Sequence, residues 1–346
     1  MITANYKKYI LNFKNPSGTS RGILRTKETW FFILKEDDAI GIGETGLFRG
    51  LSVDDVSNYQ ERLIWVCHNI NNGLESLLAE LVEFPSIQFG LEQAFLSLKS
   101  ANKFELFPSS FTQGKEAIPI NGLIWMGEQS FMKSQIKEKL KMGFSCIKMK
   151  IGAIDFDAEI NLLKSIRREF SSKEIELRVD ANGAFSPENA LDKLQRLSEL
   201  DLHSIEQPIK QGQVQEMARL CSETQLPIAL DEELIGVFSS KEKEKIIKDI
   251  NPQYIILKPS LVGGFNGSKE WIKFAEDNNS GWWITSALES NIGLNSIAQF
   301  TYKLQSKLPQ GLGTGGLFIN NFESPLEVKN GALHYNNTIN WNFNLK

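Results

Sequence analysis

Two lysines on one face of a short apolar run are the first sign of chemistry in this chain. Ser145-Cys146-Ile147-Lys148-Met149-Lys150-Ile151-Gly152 favours a strand, and successive strand side chains alternate faces. Lys148 and Lys150 therefore share one face, and Ile147, Met149 and Ile151 share the other. Two ammonium groups so placed repel each other unless anions compensate. Three later apolar runs end in a carboxylate: Val179-Asp180-Ala181-Asn182-Gly183, Ile205-Glu206-Gln207-Pro208 and Leu230-Asp231-Glu232-Glu233. About 25 residues, the length of one strand–helix unit, separate each carboxylate from the next. A third lysine ends the run Ile256-Leu257-Lys258-Pro259.

Three carboxylates converging in a low-dielectric site repel strongly. A hard divalent cation resolves this. Mg²⁺, with Mn²⁺ as the alternative, takes a few carboxylates together with water and substrate oxygens. Acidic caps at helix starts account for any one of the three. They do not account for all three standing at strand ends in one register. Asp180, Glu206 and Asp231 are thus the expected metal ligands. A lysine close to a second cation and a metal has a lowered pKa, which suits a general base. Metal plus lysine points to proton abstraction next to a carboxylate of a small-molecule substrate, through an enediolate.

The elements that must position these groups follow from the hydrophobic pattern. Strands are expected at 118–125, 146–152, 176–183, 204–209, 227–234, 254–260, 282–288 and 312–318. Helices alternate with them at 129–142, 155–170, 187–200, 214–224, 239–250, 267–277 and 292–304. Alternation at this period implies a parallel sheet, and eight units close into a (β/α)8 barrel with chemistry at the carboxyl ends of its strands. An open doubly wound sheet is disfavoured, because no Gly-rich phosphate loop follows the first strand. The first hundred residues differ. Strands at 10–13, 22–25, 29–34 and 39–44, a turn-rich loop at 15–22, and helices at 54–69 (capped by Ser52) and 86–100 make an α+β pattern. The tail, 320–346, alternates polar and aromatic residues and reads as β-rich, returning to the first domain.

Composition narrows the function classes. The 346 residues carry 38 basic and 42 acidic side chains, a net charge of −4, which offers no footprint for nucleic acid. No window approaches the roughly 20 apolar residues that span a bilayer. The first 13 residues hold Lys7 and Lys8 but no apolar core of signal length, so a cytoplasmic protein is expected. The three cysteines include no CxxC pair, and the three histidines are scattered, which argues against a disulfide framework or a histidine zinc site.

Taken in order, Lys148-x-Lys150, Asp180-x-Asn182-Gly183, Glu206-Gln207-Pro208, Asp231-Glu232 and Lys258-Pro259 resemble the muconate-lactonizing subgroup of the enolase superfamily. Within it, Thr285-Ser286-Ala287-Leu288-Glu289-Ser290-Asn291-Ile292-Gly293 and Gly311-Leu312-Gly313-Thr314-Gly315-Gly316 are similar to the o-succinylbenzoate synthase family of menaquinone biosynthesis. The resemblance implies an enolase-like fold: an α+β capping domain at 1–115, completed by 320–346, and a (β/α)8-type barrel at 116–319. It implies a Mg²⁺-dependent syn-dehydration of a succinyl-substituted hydroxycyclohexadiene carboxylate to o-succinylbenzoate. On that reading Lys150 removes the α-proton and then protonates the departing hydroxyl. Lys148 holds the carboxylate and tunes Lys150, and Lys258 stabilises the enediolate by charge.

Other residues have weaker claims on the substrate. Asn182 is a contact or a turn former. Ser286 and the backbone at Gly313 to Gly315 are candidates to receive the succinyl group, although glycines there also suit a turn. Arg21, in the N-terminal loop, either closes over the substrate or is simply solvated. Trp125 walls the pocket or belongs to the core, Glu232 orients Lys258 or caps a helix, and Glu44 holds the capping domain to the barrel. The competing enzyme reading is a dipeptide epimerase or N-acylamino acid racemase with Lys150 and Lys258 as opposed bases. The Asp-x-Asp that epimerases carry at the eighth strand is absent. A non-catalytic barrel predicts loss of the ligands and lysines, all of which are present.

Overall fold

The computed structural model describes residues 1–19, 22–125, 128–152 and 154–345. Its first part is a three-stranded antiparallel sheet of β1 (Thr3–Thr19), β2 (Gly22–Glu36) and β3 (Ala39–Glu44), in that order. The separate short strands expected here are one long hairpin. The turn formers between Asn12 and Ser17 produce a register shift within the β1–β2 ladder, not a loop. Helices α1 (Tyr59–Asn69), α2 (Leu74–Glu80) and α3 (Pro85–Lys99) follow. α3 lies directly on β3 because β3 has glycines at the crossing. A Cβ at Gly41 would stand 2.2 Å from the Ala94 carbonyl oxygen, and one at Gly43 2.0 Å from that of Gly90.

α1 begins later than expected, and Ser52 is not its cap. The Ser52 hydroxyl accepts from the Phe48 amide at 2.8 Å, and Asp54 accepts from the Ser86 amide at 3.0 Å and the Ser86 hydroxyl at 2.6 Å. Such local side-chain bonds hold residues 46–58 in a loop and compete with helix formation.

After β4 (Ile118–Pro119) comes β5 (Gly122–Ile124), and then the strand–helix alternation: α4 (Gln129–Lys141), β6 (Cys146–Lys150), α5 (Phe156–Glu169), β7 (Glu176–Asp180), α6 (Pro187–Ser198), β8 (Ser204–Glu206), α7 (Val214–Glu223), β9 (Ile228–Leu230), α8 (Ser240–Ile250), β10 (Tyr254–Leu257), α9 (Gly264–Asp277), β11 (Gly281–Ile284) and α10 (Asn291–Leu304). Strands β5 to β11 form one curled, seven-stranded parallel sheet in sequence order. Local signals set the helix starts. Ser239 and Glu242 make a capping box on α8, Asp155 caps α5, and Pro187 opens α6.

The expected eighth strand at 312–318 is not formed among the described residues. Gln310 and Gly311 instead bridge the open edges, pairing in parallel with Ile120 and Thr285. Gly313, Gly315 and Gly316 then carry the chain away, since glycine-rich backbone makes a poor strand. The expected strand 118–125 is likewise divided. β4 pairs with β13 (Ala332–Tyr335) of the tail hairpin, whose other strand is β12 (Leu326–Lys329), and only β5 joins the parallel sheet. No described helix is long and apolar enough to cross a membrane.

Carboxylates join the N-terminal part to the barrel. Glu44 is buried and accepts from the Thr29 hydroxyl, the Ser290 amide and hydroxyl, and the Gly293 amide, at 2.5 to 3.0 Å. Glu92 on α3 accepts from the Phe265 and Asn266 amides at the start of α9. The tail adds aromatic contacts: Phe31 meets Phe322 and Phe343, and Phe104 stacks on Trp341 at 4.5 Å. Burial pushes the Glu92 carboxyl up to about 7, against the pull of its two amide donors. The folded state therefore holds this proton more tightly than the unfolded chain does. The stability it contributes is complete at acid pH and is lost as pH rises through about 7. The Glu92→Gln variant should show a shallower fall in stability between pH 5 and pH 8, by on the order of 3 kcal/mol. Denaturant titrations at the two pH values measure it, and equal slopes in both proteins would reject the assignment.

Candidate active site

β6, β7 and β8 run side by side with Lys148 opposite Arg178, Lys150 opposite Asp180, and Asp180 opposite Glu206. Alternation then places Lys148, Lys150, Asp180 and Glu206 on the inner face, while Ile147 and Met149 are buried in the hydrophobic core. Asp231 directly follows β9 and Lys258 directly follows β10. The structure thus gathers the three acids and three lysines expected from the sequence at the carboxyl ends of successive strands.

Their contacts are direct. Lys148 Nζ lies 3.0 Å from Asp180 Oδ2 and 2.5 Å from Glu206 Oε2. Lys150 Nζ lies 2.9 Å from Asp180 Oδ2 and 2.5 Å from Asn182 Oδ1. Lys258 pairs with the Asp231 carboxylate. Asn182 is in the left-handed region at φ 44°. Its amide donates to Asp180 Oδ1 and its Nδ2 to Glu232 Oε1, both at 3.0 Å. Asn182 therefore joins Lys150 to Glu232, and Glu232 meets Asn182 at the start of a short 3₁₀ turn, Glu232–Leu234.

The electrostatics of the site are set by groups at contact distance. Burial does disfavour the Lys148 charge, but Asp180 and Glu206 outweigh it and hold its pKa above the ordinary lysine value. Burial also opposes the Lys258 charge, and Asp231 and Glu232 overcome it in the same way. Carboxylates within contact distance dominate over the more distant ammonium groups. Burial pushes Glu206 well above the usual carboxylate range, and the charge of Asp180 adds to it. Asp180 is pulled well below that range against its own burial, because Lys148 and Lys150 both touch it.

The site fits a divalent cation by its donors. Among the described residues the acidic side chains do not close into a ready cage, and the Lys148 ammonium lies between two of them. The donor set is nonetheless all hard oxygen and buried. Such a set suits a hard divalent cation and does not match a soft metal.

Above these groups is a cavity of about 360 Å³. Lys148, Lys150, Asp180, Glu206 and Lys258 line its floor. Ser286, Gly313 and Trp125 line its walls, and Ser286 Oγ lies 2.6 Å from Thr314 Oγ1. Asp231 reaches the site through Lys258, and Arg21 lies outside the described residues. Sequence reasoning missed Phe48 and Leu51, which reach the cavity from the loop after β3. The positive-φ Gly46 before Phe48 marks that loop but does not say where it points.

Comparison with known proteins gives concordant findings. Residues 132–338 match the family described as Enolase C-terminal domain-like. The chain is 47% identical over 360 residues to the o-succinylbenzoate synthase of Desulfotalea psychrophila (strain LSv54 / DSM 12343), covering 95% of this chain and 98% of that one. The crystal structure of MenC from Desulfotalea psychrophila LSv54 superposes with a TM-score of 0.86 at 44% identity, covering 96% of this chain and 99% of that one. A substrate-liganded L-Ala-D/L-Glu epimerase from Bacillus subtilis superposes at a TM-score of 0.82 with 18% identity, covering 96% and 95%. That last likeness speaks for the fold alone.

Lys148 is the group that balances two buried carboxylates at once. In chelator-treated protein, Lys148→Met is expected to cost about 3–5 kcal/mol, since it removes the lysine partner of Glu206 and leaves Asp180 to Lys150 and the Asn182 amide. Denaturant unfolding measures this, and a loss below about 1 kcal/mol would show that the pair is balanced otherwise.

Proposed function

The chain belongs to the Enolase C-terminal domain-like family, in the line of the o-succinylbenzoate synthases, and on that premise we propose that it dehydrates a succinyl-substituted hydroxycyclohexadiene carboxylate to o-succinylbenzoate in menaquinone biosynthesis. One observation supports this most: Lys150 stands in register with Asp180 and Glu206, and Lys148 contacts both acids, on the floor of a cavity that Lys258 also lines. A base, a second cation and a buried acid cluster are the parts that removal of a proton α to a carboxylate requires.

In this reading Asp180, Glu206 and Asp231 hold a divalent cation, Mg²⁺ or alternatively Mn²⁺, which supplies positive charge to the substrate carboxylate. Lys150 takes the α-proton. Its ammonium returns that proton to the departing hydroxyl on the same face, water leaves, and the ring becomes aromatic. Lys148 stays charged through its two carboxylates and holds the substrate carboxylate beside Lys150. Asn182 orients the Lys150 amine through its side-chain oxygen. Lys258 offsets the negative charge that develops on the substrate. Ser286 and the backbone at Gly313 receive the succinyl arm, with Arg21 as a further candidate from the sequence. The Asp-x-Asp that epimerases of this superfamily carry at the eighth strand is absent from the run Gly311-Leu312-Gly313-Thr314-Gly315-Gly316, which offers no anion for a substrate amine.

Incubation of the purified protein with the cyclohexadiene substrate and Mg²⁺ should yield o-succinylbenzoate. Inversion of a dipeptide in D₂O without that product would overturn the reading. Lys150→Met should lower kcat by about 10²–10⁴-fold, and Lys148→Met by a different factor. Equal residual rates in the two variants would contradict the division of roles. Chelation should abolish turnover, Mg²⁺ should restore it and raise Tm, and Asp231→Asn should remove both effects.

A further inference from the structure

Behind the cavity wall, charged side chains from the N-terminal sheet and the barrel meet without a part in the proton transfer. Glu289 is fully buried. Its Oε1 accepts from the Ser260 hydroxyl at 2.6 Å, and its Oε2 accepts from the Ala287 amide at 2.7 Å. Facing it from β2 is Lys27, 6% exposed, with Nζ 3.5 Å from the Gly46 carbonyl and 6.0 Å from the Phe48 ring centroid. Burial opposes the Lys27 charge, while Glu289 and then Glu44 support it. A buried pair of this kind contributes little net stability, because desolvation offsets attraction. Its use in the fold is geometric.

The backbone here shows what is being fixed. Leu288, a cavity-lining residue, has φ 62°, a region that a large side chain occupies only under constraint. Glu289 supplies the constraint by bonding back across Leu288 to the Ala287 amide. On the other side Gly46, at φ 71°, is seated against the same carboxylate. A Cβ there would stand 2.8 Å from Ser260 Cβ and 3.2 Å from Glu289 Oε1. Gly46 begins the loop that carries Phe48 and Leu51 into the cavity. One carboxylate therefore touches both the strained seventh-strand wall and the loop that faces it.

We propose that Glu289 and Lys27 are positioning residues that lock residues 286–288 and the Phe48 loop into the single relative placement that receives the non-reacting arm of the substrate. The arm's identity rests on the function proposed above, whereas the lock itself does not. The neutral double variant Lys27→Met/Glu289→Gln removes both charges with little change of volume and should fold. Hydrogen–deuterium exchange reads the lock directly. Amides of residues 46–51 and of Ala287 should exchange at least tenfold faster in the variant, with β6 to β9 unchanged. With the cyclohexadiene substrate, KM should rise about tenfold and kcat should change by less than a third of that factor, as expected for loss of contacts to a part that does not react. Unchanged exchange in the folded variant overturns the lock, and so does a loss confined to kcat. Should the double variant fail to fold, Ser260→Ala removes one bond to Glu289, and wild-type exchange and KM in that variant overturn the proposal equally. A wild-type protein that makes no o-succinylbenzoate refutes the functional reading, and the exchange result still decides the lock.

Discussion

The structure depends on balancing buried charge at one end of the parallel sheet. Asp180, Glu206 and Asp231 are withdrawn from water, and each touches or faces a buried lysine. Removing such ions from solvent is costly, and their attraction repays the cost only at contact distance. Strand register sets that distance. Lys150 pairs with Asp180, which pairs with Glu206, across three parallel strands. A slip of one residue in β6 would turn Met149 inward and both lysines outward, leaving the acids unpartnered. The apolar alternation of β6 and the charge balance therefore demand the same register.

The same economy governs the join between the N-terminal part and the barrel. Glu44, Glu92 and Glu289 are buried where the two meet, and each ends on backbone amides or hydroxyls of the barrel. Directional bonds of this type fix orientation, whereas the aromatic contacts of the tail add area without direction. The cavity's outer wall comes from the N-terminal part and its floor from the barrel, so its shape is only as definite as this join.

Much of this was legible in the sequence because two short periodicities carry it. Alternation put Lys148 and Lys150 on one face, and the recurrence of apolar-then-acidic strand ends picked out Asp180, Glu206 and Asp231. What was missed depends on long-range partners. The eighth unit looked like a strand from its spacing, yet its glycines yield to two bridges at Gln310 and Gly311. The start of α1 was misplaced because Ser52 and Asp54 bond within the loop and to α3. A one-dimensional reading also sees two ammonium groups close together, but not the carboxylates at 2.5 to 3.0 Å from Lys148. Phe48 and Leu51 left no signal, since an apolar residue in a loop reads the same whether it faces solvent or a cavity.

Floor and wall carry separate information about chemistry. The floor holds the means to move a proton next to a carboxylate, and nothing in its charges selects what departs afterwards. In the function proposed above that choice falls to the wall, where Ser286 and Thr314 share a hydrogen bond beside glycine backbone and Leu288 is held in a left-handed turn. Those groups are neutral and provide no counter-charge to an amine. Solved structures at 18% identity share the scaffold, so scaffold likeness does not select among reactions. In the wall, the left-handed Leu288 is bracketed by the bond from the Ala287 amide to Glu289.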